Sequence, residues 1–207
     1  MKLLAIETSS PKASLALFDG TSLLGSCELD QPHSQAERLN SKIAELLANS
    51  NLTLSDLTCL ALGIGPGSFT GIRVGVNIAK SFAYLLNLPI FTMTSLDNLL
   101  FHRGPESVIA ALNAFNNKVY VGQSLGEHPQ VWDLDYLKQR LSSQPKLKVI
   151  GDVCKWLELK DPSMCQEDFA TATKLGQYIT THHKNLQSYD WKSVSPLYLR
   201  SIKSEER

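Results

Sequence analysis

The sequence predicts an α/β fold, a mixed sheet flanked by helices, and three observations carry that expectation. The chain opens with three successive strand-like runs, the last two joined by Asp19-Gly20. Strand and helix periodicities then alternate from Ser34 to Thr94. A glycine-rich break, Gly65-Pro66-Gly67-Ser68, separates an apolar strand from the next helix. An antiparallel opening followed by alternating strands and helices points to a mixed sheet covered by helices.

Leu3 to Thr8 is a short apolar run ended by Ser9-Ser10-Pro11, a strand and then a turn. Ala13 to Phe18 and Ser22 to Leu29 form a hairpin, because Asp-Gly supplies the positive φ of a tight turn. In Ser34 to Asn49, Leu39, Ile43, Leu46 and Leu47 fall on one helical face, and Ser34 with Glu37 resembles a capping box. The apolar run Leu57 to Ile64 suits a strand buried on both faces. A second helix runs from about Thr70 to Asn87, and Pro89 to Thr94 is a further strand. Beyond residue 105 the pattern weakens. Val108–Asn113, Lys118–Gln123 and Lys148–Ile150 read as strands, and Asp135–Leu141, Asp152–Leu157 and Ala170–His183 as helices. Pro196 to Arg200 reads as a terminal strand. No repeat of 20 to 50 residues is visible.

Composition excludes several classes. With 43% hydrophobic and 19% charged residues, the 207-residue chain is neither disordered nor fibrous. Twenty basic and twenty acidic residues cancel, so the basic excess of a stand-alone nucleic-acid binder is missing. A neutral chain is poorly soluble, which favours burying surface against a partner. The charge is uneven: residues 1–104 hold 7 basic and 8 acidic side chains, residues 105–207 hold 13 and 12. Apolar runs such as Phe82 to Leu86 fall far short of the roughly 20 residues of a membrane span. The four apolar residues before Glu7 are too few for a signal peptide, so a cytoplasmic location is expected. Cys27, Cys59, Cys154 and Cys165 are scattered, and the expectation is small thiols with neither a disulfide framework nor a zinc site.

The stretch Leu62 to Gly75 is the most informative. A glycine turn before a helix can offer backbone N–H groups to an anion. The specific phosphate motifs nevertheless fail: no Lys-Ser/Thr pair closes the loop, and neither Gly63-x-Gly65 nor Gly65-x-Gly67 completes G-x-G-x-x-G. Nucleotide binding and a structural turn both stay open here. Gly67, Gly71, Gly75, Ala79 and Ala83 recur every four residues, a row into which another backbone can fit. Arg73, Asn77, Lys80, Tyr84 and Asn87 form one narrow polar stripe. Apolar or small residues cover roughly two thirds of the circumference. One face covers the sheet; the rest needs the Ser34–Asn49 helix, another protein, or both. On the docking reading, a bulky residue at Gly75 or Ala79 breaks partner binding and leaves the isolated chain folded.

The remaining signals are weaker. His33 and Glu37 lack the further ligands of a metal site, and a helix-entry histidine is the default. His182 and His183 suit a helix C-terminus. No G-x-S-x-G elbow occurs. Tyr198 and Arg200 suit nucleotide or RNA contact less well than burial of a terminal strand.

Gly63-Ile64-Gly65-Pro66-Gly67-Ser68-Phe69-Thr70-Gly71-Ile72-Arg73-Val74-Gly75 resembles the signature of the TsaB (YeaZ) family. Leu4 to Ser9, His33-Ser34 through Leu47, Ala79-Lys80 through Pro89, Ser95-Leu96 and Pro196 to Arg200 resemble further family segments, in the family's order. The resemblance implies an actin-like, ribonuclease H-like (ASKHA) fold with two lobes, here 1–104 and a reduced 105–207. It implies a non-catalytic subunit with no cofactor and no metal. Such a subunit docks the catalytic subunit TsaD and works with the ATPase TsaE, and adenosine beside the tRNA anticodon becomes threonylcarbamoyladenosine. tRNA is met only within that complex. The family pairs with TsaD, or with itself as a homodimer, through its first two helices. Carried onto this chain, that surface comprises Leu39, Ile43, Leu47, Gly71, Arg73, Val74, Gly75, Ile78, Ala79 and Phe82. A nucleotide at the subunit junction would meet Glu7, Thr8, Ser9, Gly65, Gly67 and Ser68.

The departures carry information too. Glu7 stands where the family has Asp, and no glycine follows it as an actin-like phosphate loop requires. The family's Asp-Ala-Arg-x-x-Glu-Val-Tyr is Asn113-Ala114-Phe115-Asn116-Asn117-Lys118-Val119-Tyr120 here, with two acids and an arginine lost. These losses favour a scaffold over the two other readings, an active actin-like ATPase or kinase and a peptidase.

Overall fold

A computed structural model describes residues 1–29, 35–101, 103, 107–159 and 161–199, with side chains in the first helix from Arg38 onward. It contains two sheets. The first is built from β1 (Lys2–Glu7), β2 (Ala13–Asp19), β3 (Ser22–Leu29), α1 (Gln35–Asn49), β4 (Cys59–Gly63), α2 (Phe69–Leu86) and β5 (Ile90–Met93). After α3 (Ser95–Leu100), the second runs through β6 (Val108–Asn113), β7 (Lys118–Gly122), β8 (Gln130–Asp133), α4 (Leu134–Ser143), β9 (Lys148–Gly151), α5 (Cys154–Leu157) and β10 (Cys165–Glu167). The chain then returns to the first sheet with α6 (Ala172–His182) and β11 (Ser188–Tyr189).

The strand orders are β11-β5-β4-β1-β2-β3 and β10-β9-β6-β7-β8. Setting β11 aside, they are one topology used twice: an antiparallel meander, then two parallel strands added beside its first strand. The repeat escaped detection in the sequence because its second copy is eroded. The 18 residues of α2 correspond to only 4 in α5.

The first sheet is buried on both faces. Leu4, Ile6, Leu15, Leu17, Leu60 and Leu62 pack under α1 and α2. Leu3, Ala5, Ala16, Phe18, Ala61 and Met93 pack against Leu175 and Ile179 of α6. This explains why β1 and β4 read as continuous apolar runs, not as alternating ones. In the second sheet, α4 and α5 cover one face and α3 the other. Two helices are thus exchanged: α3 follows the first sheet yet packs on the second, and α6 does the reverse.

Three expectations need correction. Residues Pro196 to Leu199 form no strand, and Tyr198 is half exposed; Leu197 N instead donates to the Ile64 carbonyl at 2.9 Å. Cys154 and Cys165 are joined in a disulfide with 5.6 Å between their Cα atoms, leaving Cys27 and Cys59 as thiols. An 11-residue separation gave no hint of this, but α5 follows β9 directly and β10 pairs with β9, so the fold brings the two cysteines together. The strands β8, β10 and β11 and the helix α3 are additional elements, too short for periodicity to reveal. The readings at His33, Ser34 and Arg200 lie outside the described residues, as do the side chains that would test the Glu37 reading.

The small-residue row of α2 faces inward. A Cβ on Gly71 would strike the Thr8 carbonyl oxygen, one on Gly75 the Thr8 hydroxyl, and one on Gly67 the Ser9 carbonyl. Ala79 is wholly buried and Ala83 nearly so. The backbone accommodated by this row is therefore the chain's own β1–β2 connection. Gly75 and Ala79 support the fold, so enlarging either strikes folding before docking. Gly71→Val should destabilise the isolated chain by about 3 kcal/mol, because a branched side chain must displace backbone. Urea denaturation measures this, and an unchanged midpoint would contradict the close approach.

Candidate functional site

Two regions gather the residues singled out from sequence. The first is the joint between the β1–β2 connection and the glycine loop. Glu7 ends β1 and is fully buried. Its Oε1 accepts from Ser9 N at 2.7 Å; its Oε2 lies against Gly63 with no hydrogen-bond partner among the described residues. Burial pushes this carboxyl above the usual carboxylate range, against the lowering effect of the Ser9 contacts. The Thr8 hydroxyl is likewise buried without a partner among the described residues. Ser9 Oγ shares a hydrogen bond of 2.7 Å with Ser95 Oγ, and Ser10 Oγ donates to the Ala170 carbonyl at 2.9 Å.

The glycine loop closes onto this segment. Ser68 N donates to the Ser9 carbonyl at 2.8 Å, and Ser95 N donates to the Gly65 carbonyl at 2.8 Å. Ser68 Oγ caps α2 by accepting from Gly71 N at 3.2 Å. Gly65 holds φ +93°, a conformation that favours glycine, and the Gly65-Pro66 bond is cis. The structure thus brings Glu7, Thr8, Ser9, Gly65, Gly67 and Ser68 together. It does so as a closed joint, whose Ser68 and Gly71 amides already have partners within the chain.

The second region is a groove between α1 and α2, with a volume of about 510 Å³. Ile43, Leu47, Ile78 and Phe82, four of the residues expected at the partner surface, line it. Its rim adds Asn40, Ala44, Ala48, Leu52, Asn77 and Ser81, which the sequence reading missed. Exposed alanines and a serine on apolar helices carry no distinguishing pattern, so only the packing of α1 on α2 identifies them. Of the ten residues expected at the partner surface, Leu39, Ile43, Leu47, Gly71, Gly75, Ile78 and Ala79 are buried, and Val74 and Phe82 are half-buried. Arg73 is exposed, one step round the helix from the groove.

The polar stripe of α2 also finds its neighbour. The segment after β11 runs along it as a strap. Lys80 Nζ donates to the Val194 carbonyl at 3.1 Å, the Tyr84 and Trp191 rings meet edge to face at 5.1 Å, and Arg73 Nε donates to the Tyr198 hydroxyl at 2.8 Å. The departed 113–120 segment forms the tip between β6 and β7. There Phe115, Asn116 and Asn117 all hold positive φ, and Phe115 is 71% exposed. Beneath it, Asp152 accepts from Asn113 N at 2.7 Å, and burial pushes its carboxyl up. Among the described residues, no group of three or more His, Cys, Asp or Glu side chains is placed to hold a metal ion. No described helix is long and apolar enough to cross a membrane.

Comparison with known proteins places these features in context. A family model described as TsaD, tRNA N6-adenosine threonylcarbamoyltransferase, matches residues 30–135. The tRNA threonylcarbamoyladenosine biosynthesis protein TsaB of Haemophilus influenzae is 29% identical, spanning 100% of this chain and 86% of its own length. The Buchnera aphidicola protein of that name is 30% identical over 76% of this chain and 75% of its own. The Escherichia coli protein of that name is 32% identical over 64% and 58%. Among solved structures, YeaZ from Pseudomonas aeruginosa matches with a TM-score of 0.78 at 22% identity, covering 96% of this chain and 99% of that one. The ethanolamine utilization protein EutJ from Carboxydothermus hydrogenoformans matches at 0.50 and 9% identity, covering 87% and 90%. These likenesses show the fold, which is actin-like.

Glu7 provides a test by pH. Its folded-state pKa is raised, so the folded state holds the proton more tightly than the unfolded state does. Stability is therefore greatest below the ordinary carboxylate pKa and declines as pH rises through the folded value. Glu7→Gln should remove that decline. Thermal melts should show the variant gaining on the wild type as pH rises from 4 towards 8; a constant offset would refute burial of a titrating carboxyl.

Proposed function

Because the chain belongs to the TsaB (YeaZ) family of tRNA threonylcarbamoyladenosine biosynthesis proteins, within the wider group matched by the TsaD model, we propose that it is a non-catalytic docking subunit. Its partner on this reading is a TsaD-like catalytic subunit assisted by a TsaE-like ATPase, in the cytoplasm. The product is threonylcarbamoyladenosine beside the tRNA anticodon. The strands of 1–104 form the docking lobe; of the expected second lobe 105–207, only 105–167 build the reduced lobe, because α6 packs on the first sheet and β11 joins it.

One observation carries the proposal: an open apolar groove formed by α1 and α2 on a lobe that carries little charge. A concave, mostly apolar groove is the default place for a binding partner. The closed joint at Glu7 to Ser10 supports the non-catalytic half. The Ser68 and Gly71 amides serve the chain itself, and the Glu7 carboxyl is held towards the neutral form. A second copy of the chain would use the same groove when the partner is absent. tRNA is reached only within the assembly, because a net charge of zero gives little phosphate neutralisation.

The test is co-purification with TsaD-like and TsaE-like subunits and an assay of tRNA modification with each subunit omitted in turn. Ala44→Glu and Ser81→Glu place charge at exposed groove positions without burying it in the core. Each should weaken partner binding by at least about tenfold, the scale of an uncompensated interface charge, while the melting temperature stays within a few degrees. Full modification activity without this chain would overturn the proposal.

A further inference from the structure

Arg73 is the polar-stripe residue whose surroundings the docking groove does not account for. Its guanidinium carbon lies 3.8 Å from the centroid of the Phe69 ring. Tyr198 from the strap sits beside Phe69: its hydroxyl accepts from Nε at 2.8 Å, and its ring lies 5.2 Å from that of Phe69 and 5.8 Å from the guanidinium carbon. An arginine on a surface helix ordinarily samples many rotamers, and side-chain ordering weakens whatever it binds. Here one donor is fixed by the Tyr198 hydroxyl and the guanidinium lies over the Phe69 ring, with the two aromatic side chains 37% and 45% exposed. The Nη donors make no hydrogen bond or ion pair with any described residue, and α2 contains no acidic residue. A flat, held guanidinium whose paired donors have no partner among the described residues is shaped to grip a carboxylate through two parallel hydrogen bonds, a geometry lysine cannot supply.

We propose that Arg73, held by the Phe69 ring and the Tyr198 hydroxyl, is a preset fork for an aspartate or glutamate carboxylate of the docking protein, with the C-terminal strap as its positioning element. This rests on the docking reading. It adds that the partner's matching surface is acidic beside an apolar ridge, and that Tyr198 acts through Arg73.

The experiment is a binding titration against the TsaD-like subunit at low and high salt, using the wild-type chain, Arg73→Gln, Arg73→Lys, Tyr198→Phe and the groove variant Ser81→Glu. Arg73→Gln should bind about tenfold more weakly, the scale of a charge-assisted pair, and should lose most of the salt dependence. Arg73→Lys should recover the salt dependence but not the affinity. Tyr198→Phe should fall between wild type and Arg73→Gln. Arg73→Glu should be rescued by reversing one Asp or Glu on the partner's docking face.

The controls separate the two ideas. If Ser81→Glu weakens binding and Arg73→Gln does not, the fork is refuted and the groove stands. If Arg73→Gln weakens binding and Ser81→Glu does not, the fork stands without the groove. A purely structural pin predicts lower melting temperatures and faster proteolysis of the strap in Arg73→Gln and Tyr198→Phe, with unchanged salt dependence; that result would also refute the fork. No measurable binding by the wild-type chain would sink both.

Discussion

Everything the first lobe presents depends on how closely α2 lies against the backbone of Thr8 and Ser9. That approach exists because positions 67, 71 and 75 have no side chain. It seats α2 deep on the sheet, so that Ile72, Val76 and Ala79 reach Leu4, Ile6 and Leu60 in one core cluster. It also closes the joint between the β1–β2 connection and the glycine loop, where Ser68 N donates to the Ser9 carbonyl. With its small face turned inward, the helix leaves Ile78 and Phe82 towards the groove and Arg73 towards solvent.

The two halves of the molecule are held together by exchange. Because α3 leaves the first sheet to cover the second, and α6 leaves the second to cover the first, neither half completes its core alone. Polar contacts fix the two crossings. Asn98 exchanges hydrogen bonds with the Thr171 backbone at 3.0 and 3.1 Å. Asp168 receives Lys174 Nζ on both oxygens at 2.7 and 2.8 Å, and Arg103 at 3.4 Å. These groups are largely shielded from solvent, where an ion pair is screened less than at the surface. Erosion of the second copy to a four-residue α5 leaves this exchange intact, which explains how a reduced lobe remains attached and ordered.

Most of the first lobe was legible in the sequence, and the reason is local. The strands β1 and β4 are buried on both faces, and α1 and α2 carry long helical periods, so nearest-neighbour patterns suffice to find them. The second lobe was harder because its elements are short. A three-residue β10 has no period to read, and its disulfide to α5 depends on a pairing between distant segments. The candidate site divides along the same line. Ile43, Leu47, Ile78 and Phe82 stood out because they are apolar at helical spacing, and the fold places them along the groove. Ala44, Asn77 and Ser81 were missed because nothing about an exposed small or polar residue distinguishes a groove rim from ordinary surface.

The glycine row shows most directly where sequence stops and tertiary structure begins. The four-residue spacing of Gly67, Gly71, Gly75 and Ala79 determined by itself that some backbone must come close to α2, because a stripe without side chains leaves a gap that packing must fill. It could not determine whose backbone, since another subunit and the chain's own turn meet the same steric condition. Only the fold decided that the occupant is Thr8 and Ser9. The parallel pairing of β1 with β4 places the end of β1 beside the start of α2, and close packing then leaves no room for a partner on that face.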